Sequence, residues 1–296
     1  MNTIRRFVCA LLVGAGMPLA FAREPAVVAT YAYTRYDRAA ALAPLAAHLE
    51  KTTGAPVVVR VLDSPRALAA ALRDGSIDLA VTNTFVYLGV RDERAIRALA
   101  VFDVPAKTLD AYRGVLLARR AAASDIAAVR GGSANLRYVQ VIPGSTSGGL
   151  MQDLHLAAQG LDASRFAAVR HAGTHDAALA ALQDASADVA ALADAPWQAA
   201  QRGGAVGAVV ELWRSPPIPP GPVVCRDGGR IDCARAAAVL ATLHERAPEV
   251  LAALVAAWSE ASGATRLVAP DAAAYDALTA GFADPAAGRA ALDRLL

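Results

Sequence analysis

Residues 137–159 read RYVQVIPGSTSGGLMQDLHLAAQ. The β-branched run from Arg137 to Ile142 predicts a strand, and Leu150 to Gln159 carries apolar residues at helical spacing. Between them, Gly144-Ser145-Thr146-Ser147-Gly148-Gly149 runs straight into the helix. Strand, loop and helix in this order form the unit of a parallel α/β sheet, in which ligands bind beyond the carboxyl ends of the strands. The first N–H groups of a helix have no internal partner, its dipole adds partial positive charge, and hydroxyls add donors. A tetrahedral oxyanion therefore fits at Ser145, Thr146 and Ser147 without any basic residue. A smaller role is also open: one hydroxyl as N-cap, with the glycines making a turn. Three hydroxyl residues together exceed what a cap requires.

Outward from this segment the unit recurs. Toward the N-terminus, strands are predicted at 27–31, 57–61, 77–81 and 98–102, with helices at 39–51 and from Ser64-Pro65 through Leu72. Thr82-Asn83-Thr84 caps another helix, with Tyr87 one turn on. A second series starts at Tyr112, with strands at 112–118, 137–142, 166–170 and 188–192 and helices at 121–129, 150–159 and 175–183. It is complete enough to be a lobe of its own. Strands at 209–213 and 222–224 then flank the stiff segment Ser215-Pro216-Pro217-Ile218-Pro219-Pro220, and helices at 234–244 and 249–258 lead to a helical tail after Pro270. The expected organisation is residues 23–111 as the first part of lobe 1, 112–208 as lobe 2, and 209–296 as the return to lobe 1 with the C-terminal helices. Two lobes joined by two crossings form a hinge around a cleft, a favoured place for a small ligand. Thr82, Asn83 and Thr84, and Gly173-Thr174-His175-Asp176, are helix starts that could face the same cleft. His175 is either an oxyanion ligand or a surface histidine beside the cap Thr174.

Composition restricts the function. With 55% hydrophobic residues and 19% charged, the chain is not a disordered polyelectrolyte. Arg5 and Arg6 precede the apolar stretch Phe7 to Met17, and Ala20-Phe21-Ala22 supplies small residues two apart, so residues 1–22 read as a cleavable export signal. Its removal leaves 29 − 2 = 27 basic against 27 acidic side chains, so no cationic surface remains for nucleic acid. Cys9 leaves with the signal. Cys225 and Cys233 lie across Asp227-Gly228-Gly229, either bridged, as an oxidising compartment favours, or as two free buried thiols. Two cysteines without a nearby histidine make half a zinc site, and no His-Glu-x-x-His helix or Asp/Glu cluster occurs. Neither metal nor cofactor is expected. An exported serine hydrolase would need Ser at the centre of Gly-x-Ser-x-Gly, where Thr146 stands. A triad of Ser145 or Ser147 with His175 and Asp194 is the competing enzymatic arrangement, since triads are spatial, but no motif forms one.

In order along the chain, Pro44-Leu45-Ala46-Ala47-His48-Leu49-Glu50 with Gly54, the segment AALRDGSIDLAV (70–81), Tyr112-Arg113-Gly114-Val115-Leu116, the GSTSG loop (144–148), His175 followed by Ala187-Asp188-Val189-Ala190, and Leu212-Trp213-Arg214-Ser215-Pro216-Pro217-Ile218-Pro219 resemble the phosphate, phosphite and phosphonate binding proteins of ABC transporters. The resemblance spans nearly the whole chain after residue 22. It implies the type II periplasmic binding protein fold, in which each of two lobes is a mostly parallel sheet flanked by helices. It also implies that Ser145, Thr146, Ser147 and His175 hold phosphoryl oxygens, completed from lobe 1 by Thr82, Asn83 and Thr84. An Asp at the end of the strand before residue 194 is common in the family, and Asp194 stands one residue beyond it. Ser64-Pro65-Arg66 also stands where the family often has Tyr. The implied function is capture of a small phosphorus oxyanion (phosphonate, phosphite or phosphate) by a periplasmic, non-enzymatic, monomeric protein that delivers it to an inner-membrane permease. The alternative is a ligand sensor for a membrane signalling partner.

Overall fold

The computed structural model describes residues 24–204 and 207–296; segment 1–22, expected to be an export signal, lies outside the described residues. The strands of the described chain are, in order, β1 (Ala26–Tyr31), β2 (Val57–Leu62), β3 (Leu79–Val81), β4 (Ile96–Phe102), β5 (Gly114–Arg119), β6 (Arg137–Gln140), β7 (Ala168–His171), β8 (Val189–Ala193), β9 (Val209–Arg214), β10 (Val223–Arg226) and β11 (Leu267–Val268). They form two sheets, β11-β4-β10-β3-β1-β2 and β7-β6-β8-β5-β9.

In the first sheet β1 pairs parallel with β2 and β3, while β10 is inserted antiparallel between β3 and β4. In the second, β6 pairs parallel with β7 and β8, and β5 runs against both β8 and β9. Most strands of each sheet therefore share one direction. The reversed ones include β5 and β10, the first strands laid down after each crossing, which enter from the opposite end. Strand β9 corrects the expected boundary at 209: it pairs with β5 in the second sheet, so the return crossing is the proline-rich segment 215–222. One helix also sits later than its alanine pattern suggests, at Ile126–Gly132 rather than 121–129, because Asp125 is the residue that caps it by accepting from Ala128 N.

Both faces of each sheet are buried at its central strands, while the edge strands β2 and β7 are open to solvent. Along β5, Val115 and Leu117 face one core cluster and Leu116 and Ala118 another. This is why the strands read as nearly continuous apolar runs rather than alternating ones. Each fully buried leucine here contributes roughly 1.5–3 kcal/mol. The two lobes also use the same clamp. Asp78, just before β3, accepts from Val27 N at 2.7 Å, and Asp188, just before β8, accepts from Arg137 N at 3.0 Å, in each case across a separation of 51 residues. Hydrogen bonds from the Arg137 side chain hold the Asp188 carboxyl well below the usual carboxylate range.

Cys225 at β10 and Cys233 at the start of helix Cys233–Ala241 are bridged. The loop they close is short, so removing the bridge by Cys225→Ala with Cys233→Ala is expected to cost about 2–3 kcal/mol through loop-closure entropy. Urea unfolding measures this, and labelling of the unreduced, unfolded protein is expected to find no free thiol at these positions.

Candidate functional site

The loop after β6 enters its helix through a wide first turn. Leu150 N donates to Ser145 O at 2.9 Å, spanning five residues, and Gly148 and Gly149 leave helical geometry. Ser145 caps the turn by accepting from Gly148 N at 3.1 Å. The turn is possible because position 148 lacks a side chain: a Cβ there would stand 2.4 Å from Val141 Cγ2 and 3.1 Å from His175 Cε1. Ser145, Thr146 and Ser147 are all buried, and all three line one small cavity with Tyr31, Tyr33, Arg38, Asn83, Tyr112, Ile142, His175, Ser259 and Glu260. Its volume is about 40 Å³. A water needs roughly 10–15 Å³ by this measure, so the space suits the oxygens of one tetrahedral group.

The two lobes meet at this cavity. Asn83 caps helix Thr84–Val90 through its Oδ1, and its Nδ2 donates across the cleft to Gly144 O at 3.0 Å. Phe85 N donates to Thr146 Oγ1 at 2.9 Å, which leaves the threonine hydroxyl hydrogen available to a ligand. Ser147 Oγ lies 3.3 Å from the Tyr112 hydroxyl.

His175 begins helix His175–Gln183, capped by Thr174. Ala193 N donates to its Nδ1 at 2.9 Å, so the ring proton belongs on Nε2, the remaining donor. Burial pushes its pKa down to about 4. With Nδ1 already accepting from Ala193 N, the ring offers one donor as a neutral imidazole. The sign for stability follows: an unfolded chain takes up the proton first, so the His175 contribution is present above about pH 6.5 and is lost as pH falls through 4. For binding, His175→Ala is expected to weaken a phosphorus oxyanion roughly tenfold or more, with the ratio to wild type constant between about pH 5 and 8. Titration calorimetry at three pH values checks it.

Other sequence-predicted residues are placed elsewhere. Thr82 Oγ1 donates to Pro222 O at 2.6 Å and Thr84 Oγ1 to Pro219 O at 2.5 Å, so both hydroxyls hold the return crossing rather than the cavity. Asp194 is buried but does not line the cavity; its carboxylate pairs with Arg214 and accepts from Gln198 Nε2. Strand β8 ends at Ala193, whose N–H donates to His175 Nδ1, and Asp194 already opens helix Asp194–Arg202, where Gln198 and Arg214 hold its carboxylate. The Ser, His, Asp triad is accordingly not assembled, since His175 Nδ1 takes its hydrogen bond from Ala193 N.

Two charged residues that the sequence reading missed complete the cavity. Arg38 is 4% exposed, and its guanidinium lies over Tyr31 at 4.2 Å and Trp258 at 4.6 Å while donating to Ala257 O and Tyr31 O. Glu260 is 6% exposed and accepts from Ser259 Oγ. The pocket expected to rely on neutral donors thus contains a buried cation. A signal was present: a cation in the first turn of a helix is disfavoured by the dipole, and Arg38 follows the tyrosine-rich segment Tyr31 to Tyr36. Outside the small cavity, a chamber of about 520 Å³ shares Tyr33, Tyr112, His175 and Ser259 with it and is rimmed by Arg35 and Asp176, which bridge the lobes at 3.2 Å.

Residues 28–275 match the family model of the periplasmic substrate-binding protein of phosphonate ABC transporters. The chain belongs to that family. It is a family of transporter components that act in the periplasm, each with a small ligand and a permease partner. The fold is similar to that of a binding protein component of an ABC phosphonate transporter from Pseudomonas aeruginosa, with a TM-score of 0.62 at 18% identity, covering 91% of this chain and 95% of the other. It is also similar to PhnD1 from Prochlorococcus marinus, solved with methylphosphonate, with a TM-score of 0.59 at 17% identity over 85% and 95% of the two chains. A Xanthomonas citri protein solved with ATP gives a TM-score of 0.67 at 18% identity over 91% and 98%. These likenesses establish the type II periplasmic binding protein fold. No curated protein matches the chain in sequence. Among the described residues no helix is long and apolar enough to cross a membrane, and no group of His, Cys, Asp and Glu is arranged for a metal.

Proposed function

We propose that this protein captures a small phosphorus oxyanion, with a phosphonate preferred over phosphite and phosphate, and delivers it as a monomer to an ABC permease after export directed by residues 1–22. One observation carries the reading: the buried Ser145-Thr146-Ser147 turn, His175 and the buried Arg38 line one cavity of about 40 Å³. Donors from a helix start, a neutral ring and a cation recognise a tetrahedral anion from several sides. The adjoining chamber favours a phosphonate, because it gives room for a substituent on phosphorus that phosphite and phosphate lack.

The lobes, taken as the two sheets with their helices, close on the ligand. Asn83 and Phe85 reach from lobe 1 to Gly144 and Thr146 of the anion loop, so the bonds that complete the pocket also hold the cleft shut. A ligand that contacts both sides binds the closed state better than the open one and shifts the population toward it. A permease can then distinguish loaded from empty protein by shape. Thermal unfolding against phosphate, phosphite, methylphosphonate, 2-aminoethylphosphonate and methanesulfonate tests the reading, since a ligand stabilises by mass action. An upward shift with a phosphonate is expected; no shift with any phosphorus compound would end it.

A further inference from the structure

Glu260 is an unusual wall for an anion pocket. An ionised carboxylate only accepts hydrogen bonds, and burying one without a donor is costly. Arg38 lines the same cavity, but its hydrogen bonds go to the carbonyls of Tyr31 and Ala257, and Glu260 is bonded to Ser259 Oγ at 3.3 Å. The two charges form no contact ion pair among the described residues, so each keeps bonding capacity toward the space between. The other titratable groups around that space come from every element packed on it: Tyr31 from β1, Tyr33 from the following loop, Tyr112 ahead of β5, and His175 from its helix. Among the nearby hydroxyls, that of Tyr112 already lies against Ser147 Oγ, and that of Tyr33 accepts from the His175 backbone N–H. A fully deprotonated anion would place negative charge against Glu260. A ligand that brings its own hydrogen would satisfy it.

We infer, on the basis of the proposed oxyanion function, that Glu260 is the specificity-determining residue of the pocket: it accepts the acid hydrogen of a singly protonated phosphoryl group, so the site takes the R–PO₃H⁻ monoanion and rejects sulfonates and sulfate. Sulfonates match phosphonates in shape and monoanionic charge but carry no such hydrogen at neutral pH. Facing one they leave Glu260 unsatisfied, and a site built to pair with a hydrogen-bonding group discriminates strongly against an analogue that lacks it. Charge agrees, since Arg38 and Glu260 cancel and leave a pocket suited to one negative charge rather than two. Volume agrees as well. The inner cavity holds little more than a tetrahedral head, so the hydrogen comes from the head itself, while an ammonium on a substituent would lie in the outer chamber near Asp176.

The pH range for a test is clean. Burial holds His175 near 4 and pushes Tyr31 up to about 12, with Tyr33 and Tyr112 also raised. Calorimetry on the wild-type protein with methylphosphonate and methanesulfonate from pH 6 to 9 is expected to show at least about hundredfold preference for the phosphonate at pH 6, narrowing as pH rises. Its affinity should fall about tenfold per pH unit once the ligand's second proton dissociates. In Glu260→Gln, which keeps the shape and adds an N–H donor, methanesulfonate binding should rise about tenfold or more and the pH slope should flatten. Equal wild-type affinity for the two compounds overturns the inference, and that arm needs no variant. So does unchanged discrimination in a Glu260→Gln protein that melts like the wild type. Loss of 2-aminoethylphosphonate alone in that variant, with methylphosphonate unaffected, would reassign Glu260 to the ammonium and overturn the inference too. Absence of binding by every phosphorus compound would instead remove the oxyanion function beneath it.

Discussion

Replacing Arg38 with Met is expected to weaken methylphosphonate binding about a hundredfold or more. The side chain is nearly as long and keeps its apolar stem, so the change removes charge and donors with little loss of volume. Truncating one partner of a buried charge pair costs about 2–5 kcal/mol, and each 1.4 kcal/mol is a factor of ten in affinity. The guanidinium is also held over Tyr31 and Trp258, where a desolvated cation–π contact is worth about 2 kcal/mol, so the variant should unfold at a lower temperature as well. Arg38→Lys separates the two contributions. It restores the charge but neither the planar stack nor the fork of donors, and should recover only part of the affinity. If Arg38→Met loses stability while binding as tightly as the wild type, Arg38 is a packing residue and the pocket works through neutral donors alone.

The fold was legible in the chain because the βαβ units announce themselves locally, by a short apolar run and a capped helix start. Asp37, Ser64, Asn83 and Thr174 all cap the helices that follow them. Strand order was less legible. Val223–Arg226 reads as an ordinary strand, yet it is inserted antiparallel between β3 and β4, and nothing in four residues encodes which neighbours they will have. The same gap put β9 on the wrong side of the crossing. Its sequence is that of any half-buried strand, and only its pairing with β5 assigns it to the second lobe.

The site divided along similar lines. Ser145, Thr146, Ser147 and His175 could be found because a helix start has open N–H groups wherever it stands, and Asn83 for the same reason. Thr82 and Thr84 have the same chemistry, but the partners they take, Pro222 and Pro219, come from the far part of the chain. Arg38 and Glu260 are the reverse case. Each is a common surface residue by type, and what makes them functional candidates is that opposite ends of the chain meet around Tyr31 and Tyr112. Motif reading weighs residues by their neighbours in sequence, whereas burial of a charge is a property of the assembled lobes.

The contact between the return crossing and the first lobe gives the second large effect. Gly221 lies between Pro220 and Pro222, against the segment that carries Asn83. A Cβ at position 221 would stand 2.3 Å from both Asn83 Cα and Asn83 C, and 2.4 Å from Thr82 O. These are backbone atoms, so no rotamer change relieves the overlap. Either the crossing or the Asn83 loop must move, and both are fixed: Tyr275 donates to Pro220 O at 2.8 Å and Thr82 to Pro222 O. Overpacking costs typically 1–3 kcal/mol, and backbone against backbone belongs at or beyond the upper end. Gly221→Ala should therefore lose about 3 kcal/mol, roughly 6–12 °C in unfolding temperature for a chain of this size. Binding should fall as well, because displacing Asn83 breaks its bond to Gly144 O across the cleft. Gly131→Ala is the comparison, since a Cβ there meets nothing within 4 Å and the residue lies within helix Ile126–Gly132, where alanine is the better helix former. A Gly221→Ala protein that melts with the wild type would mean that the crossing shifts freely, and the Thr82, Thr84 and Tyr275 bonds to it would then not be what holds the two lobes in register.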